Sequence, residues 1–214
     1  MSYKPVFDKA EWVVVASGPS APTWVPTVCT NSRRIACVNG SVNLLPAGRL
    51  PDTYAVFEGA AYGEYKATFK ELQRLGVFTM ARNIVRKMGG HPDEVVDVGW
   101  GSDCGYDKDK LVRQHEHIMV TGGVELLHAI AYKFRPPAIH LVGFDGYSTD
   151  KLHAEKAGQT EPRSAHWCKQ VNEAMSLHLG AIMRAFENIR FVVYGKPIHA
   201  APSWRCTFVT EQPC

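Results

Sequence analysis

The sequence has six cysteines, at positions 29, 37, 104, 168, 206 and 214, and no Cys-x-x-Cys pair among them. That spacing offers neither a zinc-ribbon pattern nor a disulfide framework, so reduced thiols and a cytoplasmic location are the expectation. No apolar run approaches the ~20 residues of a bilayer-spanning helix, and no membrane span is expected. The opening MSYKPVFDKAEW carries charges where a secretion signal would be hydrophobic. Basic residues form no block either. They occur as Arg33-Arg34, Arg82 to Lys87 and Lys108 to Arg113 in a chain of net charge +3, a balance that permits a phosphate-bearing partner without demanding nucleic acid. Both common phosphate-binding signatures are missing, since the first glycine turn is neither Gly-x-Gly-x-x-Gly nor Gly-x-x-x-x-Gly-Lys-Ser/Thr.

What is present is enough apolar residue, 45% of 214, to bury one sizeable core, and residues 1–214 are read as one domain. Short β-rich runs recur at Trp12 to Ala16, Arg34 to Val38, Thr53 to Phe57, Val77 to Ala81, Val95 to Val98, Ala138 to Phe144 and Arg190 to Tyr194. They are continuously apolar more than alternating, as strands covered on both faces are. Helical patterns lie between them, which predicts an α/β fold: a Rossmann-like, doubly wound, mostly parallel sheet with helices on both faces. Two helices are distinct. One spans Gly123 to Lys133, with Val124, Leu127, Ala131 and Phe134 at helical spacing; the other opens on Ser164 as N-cap and carries a stripe from Trp167 to Phe186. Residues 146–163, GYSTDKLHAEKAGQTEPR, are polar and aperiodic and read as a lid insertion. The tail after Gly195 shows no usable period.

In open α/β sheets ligands bind beyond the carboxyl ends of the strands, and these strand ends are alike. The first runs into Ser17-Gly18-Pro19-Ser20, the second into Asn39-Gly40-Ser41, the third into Glu58-Gly59, and the sixth into Gly143-Phe144-Asp145-Gly146-Tyr147. Thr121-Gly122-Gly123 opens a helix. Any one of these is an ordinary βα turn; five together suit a phosphate approached by backbone N–H groups and helix N-termini. His166 falls in the first turn after Ser164, where the positive helix end keeps an imidazole neutral, as a general base requires. A surface histidine at a helix start accounts for the position equally well. His178 and His128 lie on apolar stripes and read as core histidines. His115-x-His117 lacks a third ligand, and no metal site is assigned. Asp145 at a strand end and Asp103, Asp107 and Asp109 in a loop are the carboxylates available to Mg²⁺, although Asp107-x-Asp109 among lysines reads as a solvated helix start. Tyr147 is either a cover for the core or a phenol donor at the crevice mouth.

VVVASGPSAP, ACVNGSV and, above all, TGGVELLHAIAYKFRPPAIHLVGFDGYS resemble the bacterial sialyltransferases of glycosyltransferase family 42, whose core is shared by the 6-hydroxymethylpterin pyrophosphokinase-like group. The resemblance covers the first forty or so residues and 121–148. It implies a transferase that takes a nucleotide-activated sugar, has no prosthetic group and needs no Asp-x-Asp metal site. By the same resemblance Gly18, Pro19 and Ser20 line the donor phosphate and ribose, Asn39 holds the nucleotide, Thr121 and Gly122 touch ribose or base, and Tyr147 bonds the departing phosphate. His166 matches the family's base, with His153 in reserve. Ser17, Gly40, Glu58 and Gly123 complete the expected donor site. The donor is CMP- or UDP-linked, and its sugar is left open. The acceptor is a glycan, a small molecule or a modified base in DNA. The alternative is an ATP-dependent pyrophosphokinase holding Mg²⁺ through Asp145 and the 103–109 loop; a third reading is a nucleotide-binding module without catalysis.

Overall fold

The apolar runs assemble into a single sheet. A computed structural model of the chain describes residues 9–97, 103, 105–106, 121–149, 163–195 and 206–211. Its elements are β1 (Trp12–Val15), α1 (Ala21–Val28), β2 (Arg34–Val38), a 3-10 turn (Asn39–Leu44), β3 (Thr53–Val56), α2 (Gly59–Arg74), β4 (Phe78–Ala81), α3 (Asn83–Lys87), β5 (Glu94–Val95), α4 (Gly122–Phe134), β6 (Ala138–Val142), α5 (Ala165–Ala185), β7 (Arg190–Tyr194) and β8 (Cys206–Val209). The strand order is β5-β4-β3-β2-β1-β6-β7-β8, and every pairing is parallel. This is a Rossmann-like α/β fold.

Continuous apolarity has its reason in the two cores. Along β1, Trp12 and Val14 face one cluster with Leu126, Ile130, Leu179 and Ile182 from α4 and α5. Val13 and Val15 face the other, with Trp24, Tyr62 and Phe69 from α1 and α2. Successive strand residues point to opposite faces, so a sheet covered on both sides must be apolar at each position. Each large side chain so buried contributes about 1.5–3 kcal/mol.

Strand and helix bounds differ from the periodicity by a residue or two. β6 stops at Val142 because Gly143 turns the chain at φ +77. β5 is Glu94–Val95 rather than Val95 to Val98, and Val98 lies outside the described residues. α1 is obscured in the sequence by Pro22 and Pro26; the first suits an opening helical turn, and the second is exposed and forgoes only its own bond. β8 is absent from the sequence reading. It is a four-residue edge strand, half-exposed along most of its length, so it shows neither the alternating nor the continuous pattern.

The winding reverses between β1 and β6, which neighbour each other although β2 through β5 lie to one side and β7 and β8 to the other. Such a switch point leaves a crevice outside the carboxyl ends of its two strands. The turns ending β1 and β6 are Ser17 to Ser20 and Gly143 to Tyr147.

Candidate active site

The two switch-point turns are in backbone contact. Gly18 N–H donates to Gly143 O at 3.0 Å and Ala16 N–H to Val142 O at 2.8 Å. A Cβ on Gly18 would strike Gly143 O, and one on Gly143 would strike Ala16 O; both glycines are there because no side chain fits. Asp145 then ties the second turn to the first. One of its oxygens accepts from Ser20 N–H at 2.8 Å and the other from the Ser20 hydroxyl. Ser20 is the N-cap of α1 but makes no capping bond itself; the Asp145 carboxylate occupies the positive helix end instead. Gly18 and Ser20 thus spend their N–H groups inside the fold and Pro19 has none, so the turn presents a ligand with shape more than with amide donors.

The second wall is built from β2, β3 and the start of α4. Asn39 sits at φ +50, and its Oδ1 is buried with no hydrogen-bond partner. Ser41 accepts from Val38 N–H at 3.0 Å and donates to Val15 O at 2.8 Å, joining the ends of β1 and β2. A Cβ on Gly122 would press on Val38 and Asn39, and one on Gly123 on Ala16 and Phe144. Glycine at both positions therefore lets the α4 N-terminus settle onto the ends of β1, β2 and β6. Gly40 is buried, while Thr121 is half-exposed with its hydroxyl 3.9 Å from Met175 Sδ. Glu125, buried in the first turn of α4, pairs with Arg82 at the end of β4.

The turn after β6 meets the start of α5. Tyr147 is half-buried, with its ring edge-on to Trp167 at 5.3 Å. Its backbone N–H and C=O are bonded at 2.7 and 2.9 Å by the Asn172 side chain. Burial pushes its hydroxyl up to about 12, with the Glu58 carboxylate acting in the same direction, so the phenol keeps its proton and is a donor at neutral pH. Glu58, at the end of β3, is exposed and makes no side-chain cap to α2. Ser164 caps α5 as its sequence suggests, accepting from Trp167 N–H at 3.2 Å. His166 stands exposed in that first turn, next to Trp167.

The structure thus brings Ser17 to Ser20, Asn39, Gly40, Gly122, Gly123 and Asp145 to the carboxyl ends of β1, β2 and β6 and packs Tyr147 against the helix that carries His166. His178 is fully buried with Nδ1 2.7 Å from the Tyr106 hydroxyl, and His128 packs edge-on to the same ring at 4.6 Å; both are core histidines. His153, Asp107, Asp109, His115 and His117 lie outside the described residues, as does the lid over 150–162. Asp103 is exposed. Among the described residues no group of three or more His, Cys, Asp or Glu is placed to hold a metal ion. Ser41 is visible in the sequence only as part of the Asn39-Gly40-Ser41 turn and Trp167 only as a stripe residue, while Asn172 and the Arg82–Glu125 pair belong to no glycine turn and carry no sequence signal of a site.

No protein-family model matches the chain, and no curated protein matches it in sequence. Its architecture nonetheless defines a class, the Rossmann-like folds with a switch-point crevice, and solved structures share it. The sialyltransferase CstII from Campylobacter jejuni, solved with cytidine 5′-monophosphate, superposes with a TM-score of 0.57 at 15% identity over 86% of this chain and 79% of its own. The monofunctional α-2,3-sialyltransferase Cst-I of the same organism gives 0.55 at 11% identity, over 90% and 79%. The MAf glycosyltransferase from Magnetospirillum magneticum gives 0.56 at 14% identity over 97% of this chain, which spans 34% of that larger protein.

Proposed function

We propose that the protein is a glycosyltransferase that moves a sugar from a nucleotide-activated donor, CMP- or UDP-linked, to an acceptor hydroxyl. The observation that supports this reading is the switch point between β1 and β6, where the α4 N-terminus packs onto the ends of β1, β2 and β6 and the turn after β6 carries Tyr147. Sialyltransferases are among the structures that share the fold, and one of them was solved with CMP.

In this reading the nucleotide lies along the Ser17 to Ser20 turn. Asn39 supplies its buried, unpartnered Oδ1 to a donor on base or ribose, since a buried acceptor without a partner costs about 1–3 kcal/mol and a ligand would relieve it. Glu58 accepts from ribose hydroxyls. The donor phosphate rests on the α4 N-terminus at Thr121, Gly122 and Gly123, where the helix dipole favours negative charge. The acceptor oxygen attacks the anomeric carbon as the carbon–oxygen bond to the phosphate breaks. His166 takes the acceptor proton, and Tyr147 donates a hydrogen bond to the departing phosphate oxygen, whose charge grows in the transition state. Asp145 positions the β1 turn. His153 is the reserve base, and the acceptor is a glycan, a small molecule or a modified DNA base. The pyrophosphokinase alternative asks Asp145 to ligate Mg²⁺, whereas both its oxygens are bonded to Ser20.

A panel of CMP, UDP, GDP, ADP and ATP, each with Mg²⁺ and with EDTA, tests the reading by thermal shift. A ligand bound only by the native state at 100 times its Kd stabilises by about 2.7 kcal/mol, or roughly 5–10 °C for a chain of this size. We expect CMP or UDP to give that shift with EDTA present. A shift from ATP alone, and only with Mg²⁺, would replace this proposal with the pyrophosphokinase.

A further inference from the structure

We infer that Asn172 is a positioning residue for the transfer reaction, fixing Tyr147 so that its hydroxyl and the His166 imidazole are set by the same helix. The inference rests on the role given to Tyr147 above. Residues 143–149 form no helix or strand, and Gly143 and Gly146 both sit at positive φ, +77 and +81. Two glycines leave such a segment many backbone paths, so something outside it must select one. Asn172 does so by bonding both backbone groups of a single residue. Its Oδ1 accepts from Tyr147 N–H at 2.7 Å, and its Nδ2 donates to Tyr147 C=O at 2.9 Å. Two bonds from one planar amide remove the rotation that one bond would leave free.

The ring is held from the same helix. Trp167 meets the Tyr147 ring at 5.3 Å with planes 68° apart, and the Arg163 guanidinium lies 5.5 Å from the Trp167 ring centroid. His166, Trp167 and Asn172 all belong to the first turns of α5, whose start is fixed by the Ser164 cap. Asparagine is a poor helix former, yet it stands inside this long helix, where the paired bonds to Tyr147 give it a use that alanine or leucine would not serve. One rigid element therefore carries the base and grips the phenol. Misplacement of a catalytic group by about 1 Å costs on the order of a hundredfold in rate, which is why a residue that touches no substrate matters here.

The test is a double-mutant cycle of Asn172→Asp and Tyr147→Phe, read as CMP release from a CMP-linked sialic acid. Aspartate has the same size and keeps the acceptor for Tyr147 N–H but loses the donor to its C=O, so packing is preserved where Asn172→Ala removes both bonds and the side-chain volume. With Tyr147 present, Asn172→Asp should lower kcat about tenfold with KM nearly unchanged, because the phenol acts on charge that develops in the transition state. In the Tyr147→Phe background the same change should cost less than about twofold, since residues acting through one group are not additive. A purely structural role for Asn172 would lower kcat by the same factor in both backgrounds, and that result overturns the inference while leaving Tyr147 in place. Undiminished turnover of Tyr147→Phe alone would instead remove Tyr147 from the chemistry, and the proposed mechanism with it.

Discussion

Gly195 follows β7 at φ +105, and a Cβ there would run into Asp145 Oδ1 and Ser20 Oγ. The Asp145–Ser20 pair that joins the β1 and β6 turns is therefore sealed from below by a missing side chain. Gly195→Ala adds backbone strain of about 1–3 kcal/mol and pushes the pair apart. We expect thermal denaturation to report a loss of several degrees and calorimetry to report weakened nucleotide binding; unchanged nucleotide affinity would mean the pair does not shape the crevice. His166 makes the opposite prediction. It is exposed and contributes to no core, so His166→Ala should leave the melting temperature and CMP affinity alone while abolishing transfer. A general base typically accounts for about 10²–10⁴ in rate; unaltered turnover would pass the role to another residue.

At the scale of elements, legibility followed locality. Strands covered on both faces were readable because burial alone dictates their composition, and β2 and β7 have the bounds that the apolar runs predict. The Ser164 cap was readable because a cap is a property of four consecutive residues. α1 was hidden by prolines whose effect depends on where in a helix they fall, and β8 by its place at the sheet edge. The glycine turns were visible as turns, but their use was not. That Gly18 and Ser20 direct their N–H groups to Gly143 and Asp145 follows from β1 lying beside β6, a neighbourhood made by residues about 125 apart in sequence, and no local pattern encodes it. The Asn172 bracket on Tyr147 is non-local in the same way, because it depends on how α5 lies against the end of β6.

The whole molecule carries one more polar device, placed away from the crevice where β1, β6 and β7 run side by side. His140, in the middle of β6 with a side chain only 3% exposed, has Nε2 2.9 Å from Glu11 Oε2 and Nδ1 3.0 Å from the Tyr194 hydroxyl. A carboxylate only accepts, so Nε2 carries the proton and Nδ1 accepts from Tyr194 O–H. Glu11 is in turn bonded by Arg33 at 3.1 Å and Arg190 at 2.7 Å. Burial holds the His140 pKa below its ordinary value, and the Arg33 and Arg190 charges push the same way against the pull of Glu11. The unfolded chain protonates this histidine near pH 6.5, whereas the folded one resists until lower pH. The folded state then binds fewer protons, so this contribution is complete above about pH 6.5 and is lost as pH falls from there through the lowered folded value. Urea unfolding of the native protein at a series of pH values between 7.5 and 5 should show stability declining toward acid, and His140→Gln, which keeps polar atoms but cannot titrate, should flatten that slope while lowering stability at pH 7.5. A variant with the full acid slope would place the titration elsewhere and leave His140 only the task of stitching three central strands together.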